Sequence, residues 1–174
     1  VLNTNNYNVA EHEQAIQEAI ASDPDAAWRI VTIHQDIYGS GLDHSDTDGM
    51  ILRTQLTPIF DEYDIDVVLQ GHDHTYSRSK LLYGDGQTHG AYEFQLNADG
   101  SDYDWDHAYD INENTQIPLY PDDAAGQTLL DSFQADNHCY TIETTVGTTV
   151  VNPHGTLDMT SKSASRPKTA EIDT

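Results

Sequence analysis

Ile65-Asp66-Val67-Val68-Leu69-Gln70-Gly71-His72-Asp73-His74 is an apolar run that ends in a glycine and two histidines. The run is short, β-branched and continuous rather than alternating, the pattern of a strand buried on both faces. Two imidazoles separated by one residue then stand at its C-terminal end, followed by Thr75-Tyr76-Ser77-Arg78. The arrangement occurs a second time upstream, where Trp28-Arg29-Ile30-Val31-Thr32-Ile33 runs into His34-Gln35-Asp36-Ile37-Tyr38. Open α/β sheets bind their ligands outside the carboxyl ends of their strands. Two strands that each deliver histidine there point to one metal-ligating site.

The segments around these strands alternate. Val9 to Ala21 places Val9, Ala15, Ile16, Ala19 and Ile20 at helical spacing, with Asn8 as N-cap and Asp23-Pro24-Asp25 as a stop. Ser45 to Tyr63 reads as a second helix with Met50, Leu52, Leu56, Ile59 and Phe60 on one broad face, and Pro58 is expected to kink or split it. Val1-Leu2-Asn3-Thr4-Asn5 reads as the end of a strand. The order β-α-β-α-β with continuous apolar strands predicts an α/β fold on a parallel sheet covered on both faces. Beyond Gly71, Ser77 to Tyr83 suits an edge strand. Residues 84–137 contain no Lys or Arg and form a long acidic insertion, either a solvated loop or a lid at the rim of the site. Cys139 to Glu143 and Thr148 to Val151 suggest a hairpin around Val146-Gly147. The Ser/Thr/Lys-rich end, 160–174, reads as a flexible tail, which leaves 1–159 as the folded part.

Composition narrows the function classes. The 174 residues carry 7 Lys+Arg against 30 Asp+Glu, a formal net charge of -23. This is the opposite of the basic footprint that phosphate-backbone binding needs, so nucleic acid is not expected as a partner. No stretch approaches the roughly 18 apolar residues that span a bilayer, so no membrane partner is expected either. The single Cys139 permits no intrachain disulfide and suits a core position. High acidity with Tyr, Asn and Thr richness suits an extracellular or cell-surface protein. Val1 is not an initiator methionine, which suggests a piece of something longer.

The His34 strand end, with Tyr38-Gly39-Ser40-Gly41 and His44 behind it, followed one helix later by Gly71-His72-Asp73-His74-Thr75-Tyr76-Ser77-Arg78, resembles the calcineurin-like metallophosphoesterase family. Within it, the purple acid phosphatase-related branch is most similar. The resemblance covers roughly Val1 to Tyr83 and, more faintly, Gly147 to Val151. It implies the C-terminal half of a metallophosphoesterase β-sandwich flanked by helices. The family's three upstream motifs (Asp-x-His, Gly-Asp-x-x-Asp and Gly-Asn-His-Asp/Glu) are absent from this sequence, so the implied partner of this chain is the N-terminal half of the same domain. The parent would then hydrolyse a phosphate-ester substrate through a hydroxide activated by two divalent or trivalent ions (Fe, Mn or Zn), and the piece alone would be inactive.

The resemblance implies that His34 and His72 bind one metal and His74 the other, with both imidazoles of the last motif pointing the same way if the backbone stays extended and Gly71 supplies freedom. Without the bridging carboxylate, the site is expected to be empty or partly filled. Asp73 is expected to face away and hydrogen-bond. Asp36 and Tyr38 share the pocket-shaping loop with His44. His44 is open between a catalytic contact to phosphate or leaving group and an exposed loop position. Tyr76 and Arg78 are expected behind the ligands, Arg78 paired to a carboxylate. His12, His89, His107, His138 and His154 lack ligand spacing. Two other readings remain: a calcium-binding module built on Asp99, Asp102, Asp104 and Asp106, where the EF-hand offsets fail, and a catalytically dead scaffold.

Overall fold

A computed structural model describes residues 1–39, 47–138, 140–144 and 149–161. The elements in chain order are α1 (Val9–Ser22), β1 (Ile30–Thr32), α2 (Thr47–Glu62), β2 (Val67–Gln70), β3 (Ser77–Gly84), β4 (Tyr92–Glu93), β5 (His107–Asp110), β6 (Thr115–Pro118), α3 (Ala124–Asp136), β7 (Tyr140–Glu143) and β8 (Thr156–Thr160). The chain is mixed α/β with two sheets. The larger has strand order β1-β2-β8-β3-β7, in which β1, β2 and β8 run parallel and β3 pairs antiparallel with both β8 and β7. The smaller is the antiparallel β4-β5-β6.

α1 forms where its spacing predicts it. The Asn8 side chain accepts the Ala10 N–H and satisfies one of the donors that a helix start leaves unpaired. α2 is the central helix. It buries Ile51, Leu52, Leu56, Ile59 and Phe60 together with Thr54 and Gln55. Gln55 Nε2 donates to Tyr7 O at 3.1 Å and to Tyr92 O at 2.5 Å, and Tyr92 N–H donates to Thr54 Oγ1 at 3.2 Å. α2 therefore meets β4 of the small sheet through its buried amide and β3 of the large sheet through its C-terminal half. The helix runs unsplit through Pro58, which lies exposed between buried Leu56 and buried Ile59. Packing on both flanks outweighs the roughly 3 kcal/mol cost of an interior proline.

Several expectations need correction. Val1 to Asn5 is not a strand, although Leu2 N–H donates to Thr32 O at 2.9 Å. β3 is interior rather than an edge, lying between β8 and β7. The hairpin expected of Cys139 to Glu143 with Thr148 to Val151 is not found among the described residues, where β7 pairs with β3 instead. Residues 149–151 are not a strand. Cys139 and residues 145–148 fall outside the described residues. The large sheet is not covered on both faces: Ile30 on β1 is 58% exposed. The 84–137 segment is no solvated loop, since Tyr92, Phe94, Ala108, Ile117 and Phe133 belong to the main core. Thr160, assigned to the tail, ends β8 fully buried, and 162–174 lie outside the described residues. No described helix is long and apolar enough to cross a membrane.

Candidate functional site

β1 and β2 end side by side and stay registered past their last residues. Ile33 N–H donates to Leu69 O at 3.0 Å, and Gly71 N–H donates to His34 O at 3.0 Å. That register carries His34 and His72 to one edge of the sheet. His72 Nδ1 lies 3.3 Å from His34 Nε2, with the rings edge to face and their centroids 5.1 Å apart. Two imidazole nitrogens bound tetrahedrally to one ion at about 2.0–2.1 Å stand about 3.3 Å from each other. The two donors therefore fit a shared cation. His34 is exposed and His72 half-buried, so solvent and ions reach them.

The turn that achieves this differs from the extended backbone the sequence suggests. His72 itself holds a left-handed φ of 65°, and Asp73 N–H reaches back to Gly71 O at 2.8 Å. For a residue with a Cβ the left-handed region costs about 1–2 kcal/mol. Gly71 does not need the freedom assigned to it: a Cβ there would meet His34 O at 3.5 Å, an ordinary contact. The strained residue is the histidine.

A buried polar bracket holds the strand ends beneath the rings. Asp36 is fully buried and accepts the Asp73 N–H at 2.8 Å and the Thr160 hydroxyl at 2.5 Å. Gln70 Oε1 accepts the Ile37 N–H at 3.0 Å, while its Nε2 donates to Thr160 Oγ1 at 3.2 Å. On the other side, the Thr4 hydroxyl donates to Gln35 and accepts the His34 N–H. Three strand ends and the N-terminal segment are thus tied at one place. Desolvation pushes the Asp36 carboxyl up from its ordinary value, against the pull of the Thr160 and Asp73 donors.

The other candidate residues are distributed unevenly. His74 is exposed and does not complete a third point: among the described residues, no group of three or more His, Cys, Asp or Glu gathers so as to hold a metal ion. His44 lies outside the described residues. Asp36 is sealed under the rim, so it braces the strand ends and shapes no open pocket. Asp73 is likewise buried. The Tyr38 ring packs edge-on to Tyr140 at 5.4 Å, with the Arg53 guanidinium 4.6 Å above it. Tyr76 is 65% exposed. Arg78 is exposed on β3, and the expected carboxylate partner is not found among the described residues.

Three other histidines make local contacts. His89 bridges Asp85 at 2.9 Å and Asp136 at 3.8 Å, His107 pairs with Asp104 at 2.9 Å, and buried His12 sits 3.3 Å from Asn3 O. In the acidic turn, Asp99 accepts from Ser101, Asp102 from the Trp105 indole, and Asp104 from Tyr109 and His107. These three carboxylates are engaged by neighbouring side chains. Sequence reasoning missed Gln70, Thr160 and Asp158. The available signal was the alternation Thr156-Leu157-Asp158-Met159-Thr160, whose polar members all face inward.

No protein-family model matches the chain, and no solved structure matches it. Two proteins of Mycobacterium tuberculosis do: the uncharacterized proteins MT2654 (strain CDC 1551) and Rv2577 (strain H37Rv) are each 32% identical to it over 81 residues, 45% of this chain. The match spans only 15% of each relative's length.

Proposed function

We propose that the chain is the C-terminal part of a metal-dependent phosphoric ester hydrolase, of the calcineurin-like metallophosphoesterase family and its purple acid phosphatase-related branch. The observation that carries this reading is the 3.3 Å approach of His34 Nε2 and His72 Nδ1 at the carboxyl ends of two parallel strands. Those two nitrogens are the atoms that would hold a metal. Bound ions would supply charge to clamp a phosphate and acidify a water molecule. The chain's own part is positional. Neutral imidazoles offer lone pairs without cancelling the charge of the ion. The Asp36–Thr160–Gln70 bracket fixes the strand ends that carry them. Further ligands, a carboxylate above all, would come from the N-terminal half of the same domain.

The test has two arms. Calorimetry of the 174-residue chain with Zn(II) or Mn(II) should show weak binding that is lost in His34→Ala and in His72→Ala but kept in His138→Ala. Asp36→Asn should weaken it by about tenfold, as loss of an outer hydrogen-bond partner does. A longer polypeptide containing this chain should hydrolyse p-nitrophenyl phosphate with added metal. Binding unchanged in both histidine variants, or no phosphoester turnover by the longer polypeptide, would defeat the proposal.

A further inference from the structure

The end of the large sheet opposite the histidines holds a second set of polar groups. Asp158, in the middle of β8, is 2% exposed, and its Oδ1 has no hydrogen-bond partner. A buried carboxyl oxygen left unsatisfied is destabilising. Asp158 lines a narrow recess of about 10 Å³, room for one water-sized group. Phe60, Asp61, Tyr83 and Thr156 line this recess and also a wider cleft of about 290 Å³. That volume is near the lower bound for small-molecule sites.

The cleft is acidic and aromatic together. Asp61 stands exposed at its mouth, its carboxylate accepting the Gly84 N–H. The Tyr83 ring and the His154 ring lie 4.7 Å apart along its wall. Arg53 is the cation that acts on Asp158, yet its Nε is taken by Ile37 O and its guanidinium lies over Tyr38. Burial pushes the Asp158 carboxyl up to about 8, against the opposing pull of the Arg53 charge and with the Asp61 carboxylate adding to the rise.

We propose that this cleft binds a primary alkylammonium ligand, its head in the recess between Asp158 and Asp61 and its carbon chain against Phe60, Tyr83 and His154. The head must be compact, cationic and rich in donors. An ammonium has three donors on a water-sized centre, whereas a planar guanidinium exceeds the recess. The aromatic wall suits methylenes and adds cation–π attraction. A multivalent metal is the poorer occupant, because no metal-holding group of three His, Cys, Asp or Glu exists among the described residues. The site is independent of the hydrolase reading: it lies beside Asp64 and Gly155, before β2 and β8, whereas the histidines follow β1 and β2.

The test is amide-resolved NMR of the 174-residue chain titrated with n-butylammonium, n-butylguanidinium or KCl, in about 0.15 M NaCl to screen the acidic surface. Saturable shifts at Leu82 to Gly84 and Gly155 to Asp158 are expected with butylammonium alone. Asp158→Asn should weaken binding by about tenfold or more, and Asp61→Asn, at an exposed position, should weaken it severalfold with the spectrum otherwise intact. Should Asp158→Asn not fold, Asp61→Asn decides. Unsaturable shifts spread over the acidic surface, saturation by K⁺ instead, or wild-type affinity in Asp61→Asn would each overturn the proposal.

Discussion

His72 meets two demands that conflict. Its backbone sits at φ 65°, where glycine is at ease and a Cβ is not, while its ring must lie against His34. His72→Gly should therefore be more stable than His72→Ala by about 1 kcal/mol, although both lose the imidazole. Urea midpoints measure the difference, and equal midpoints would mean that the turn carries no strain. Asp158 offers a pH signature. Its folded carboxyl holds a proton up to about 8, while the unfolded chain releases it in the ordinary carboxylate range. Between those limits the folded state binds more protons, so stability falls as pH rises and levels off above the window. Asp36, also pushed up by burial, adds a fall of the same sign. Denaturation midpoints from about pH 5 to 8 should decline less steeply in Asp158→Asn than in the native chain. The imidazole pair was legible because strand-end histidines are marked by the residues before them. The left-handed turn was not, because Gly71 next door is the residue that local preference would choose.

Gly49, in the first turn of α2, shows how that helix governs the site. A Cβ there would lie 2.5 Å from the Asp36 carbonyl oxygen, so the helix rests directly on the backbone of the bracket. Alanine normally gains about 1 kcal/mol over glycine in a helix. Here the clash is with backbone and no rotamer relieves it, so Gly49→Ala should cost about 1–3 kcal/mol net. A thermal melt checks the sign, and a stabilised variant would show that α2 does not press on Asp36. Helix α1 could be read from sequence because its cap, spacing and stop are all local. β3 could not: its interior place depends on pairing Leu81 with Leu157 and with Glu143, contacts 76 and 62 residues away. β8 went unread for another reason. Its alternation is strand-like, but Thr156, Asp158 and Thr160 turn inward: Thr156 donates to Ile65 O at 2.7 Å and Thr160 to Asp36 at 2.5 Å, contacts that only the folded chain brings together.

A formal charge of -23 on 174 residues makes the folded chain repel itself. Raising NaCl from about 0.02 to 0.5 M should raise the melting temperature by screening that repulsion. A fall would show that ion pairs outweigh repulsion, contrary to the few that the described residues make. The acidic 84–137 stretch illustrates why composition alone misjudged the architecture. Its turns are saturated with Asp and Asn, yet Tyr92 packs edge-to-face with Phe133 at 4.7 Å and Phe94 with Tyr7 at 5.2 Å, enough aromatic contact to join the core. Gln55 clasps both the N-terminal loop and β4 from the middle of α2. One helix thus serves as the party wall of two rooms. Neither can be emptied alone, and amide protons of β2 and β5 should become exchangeable in a single event.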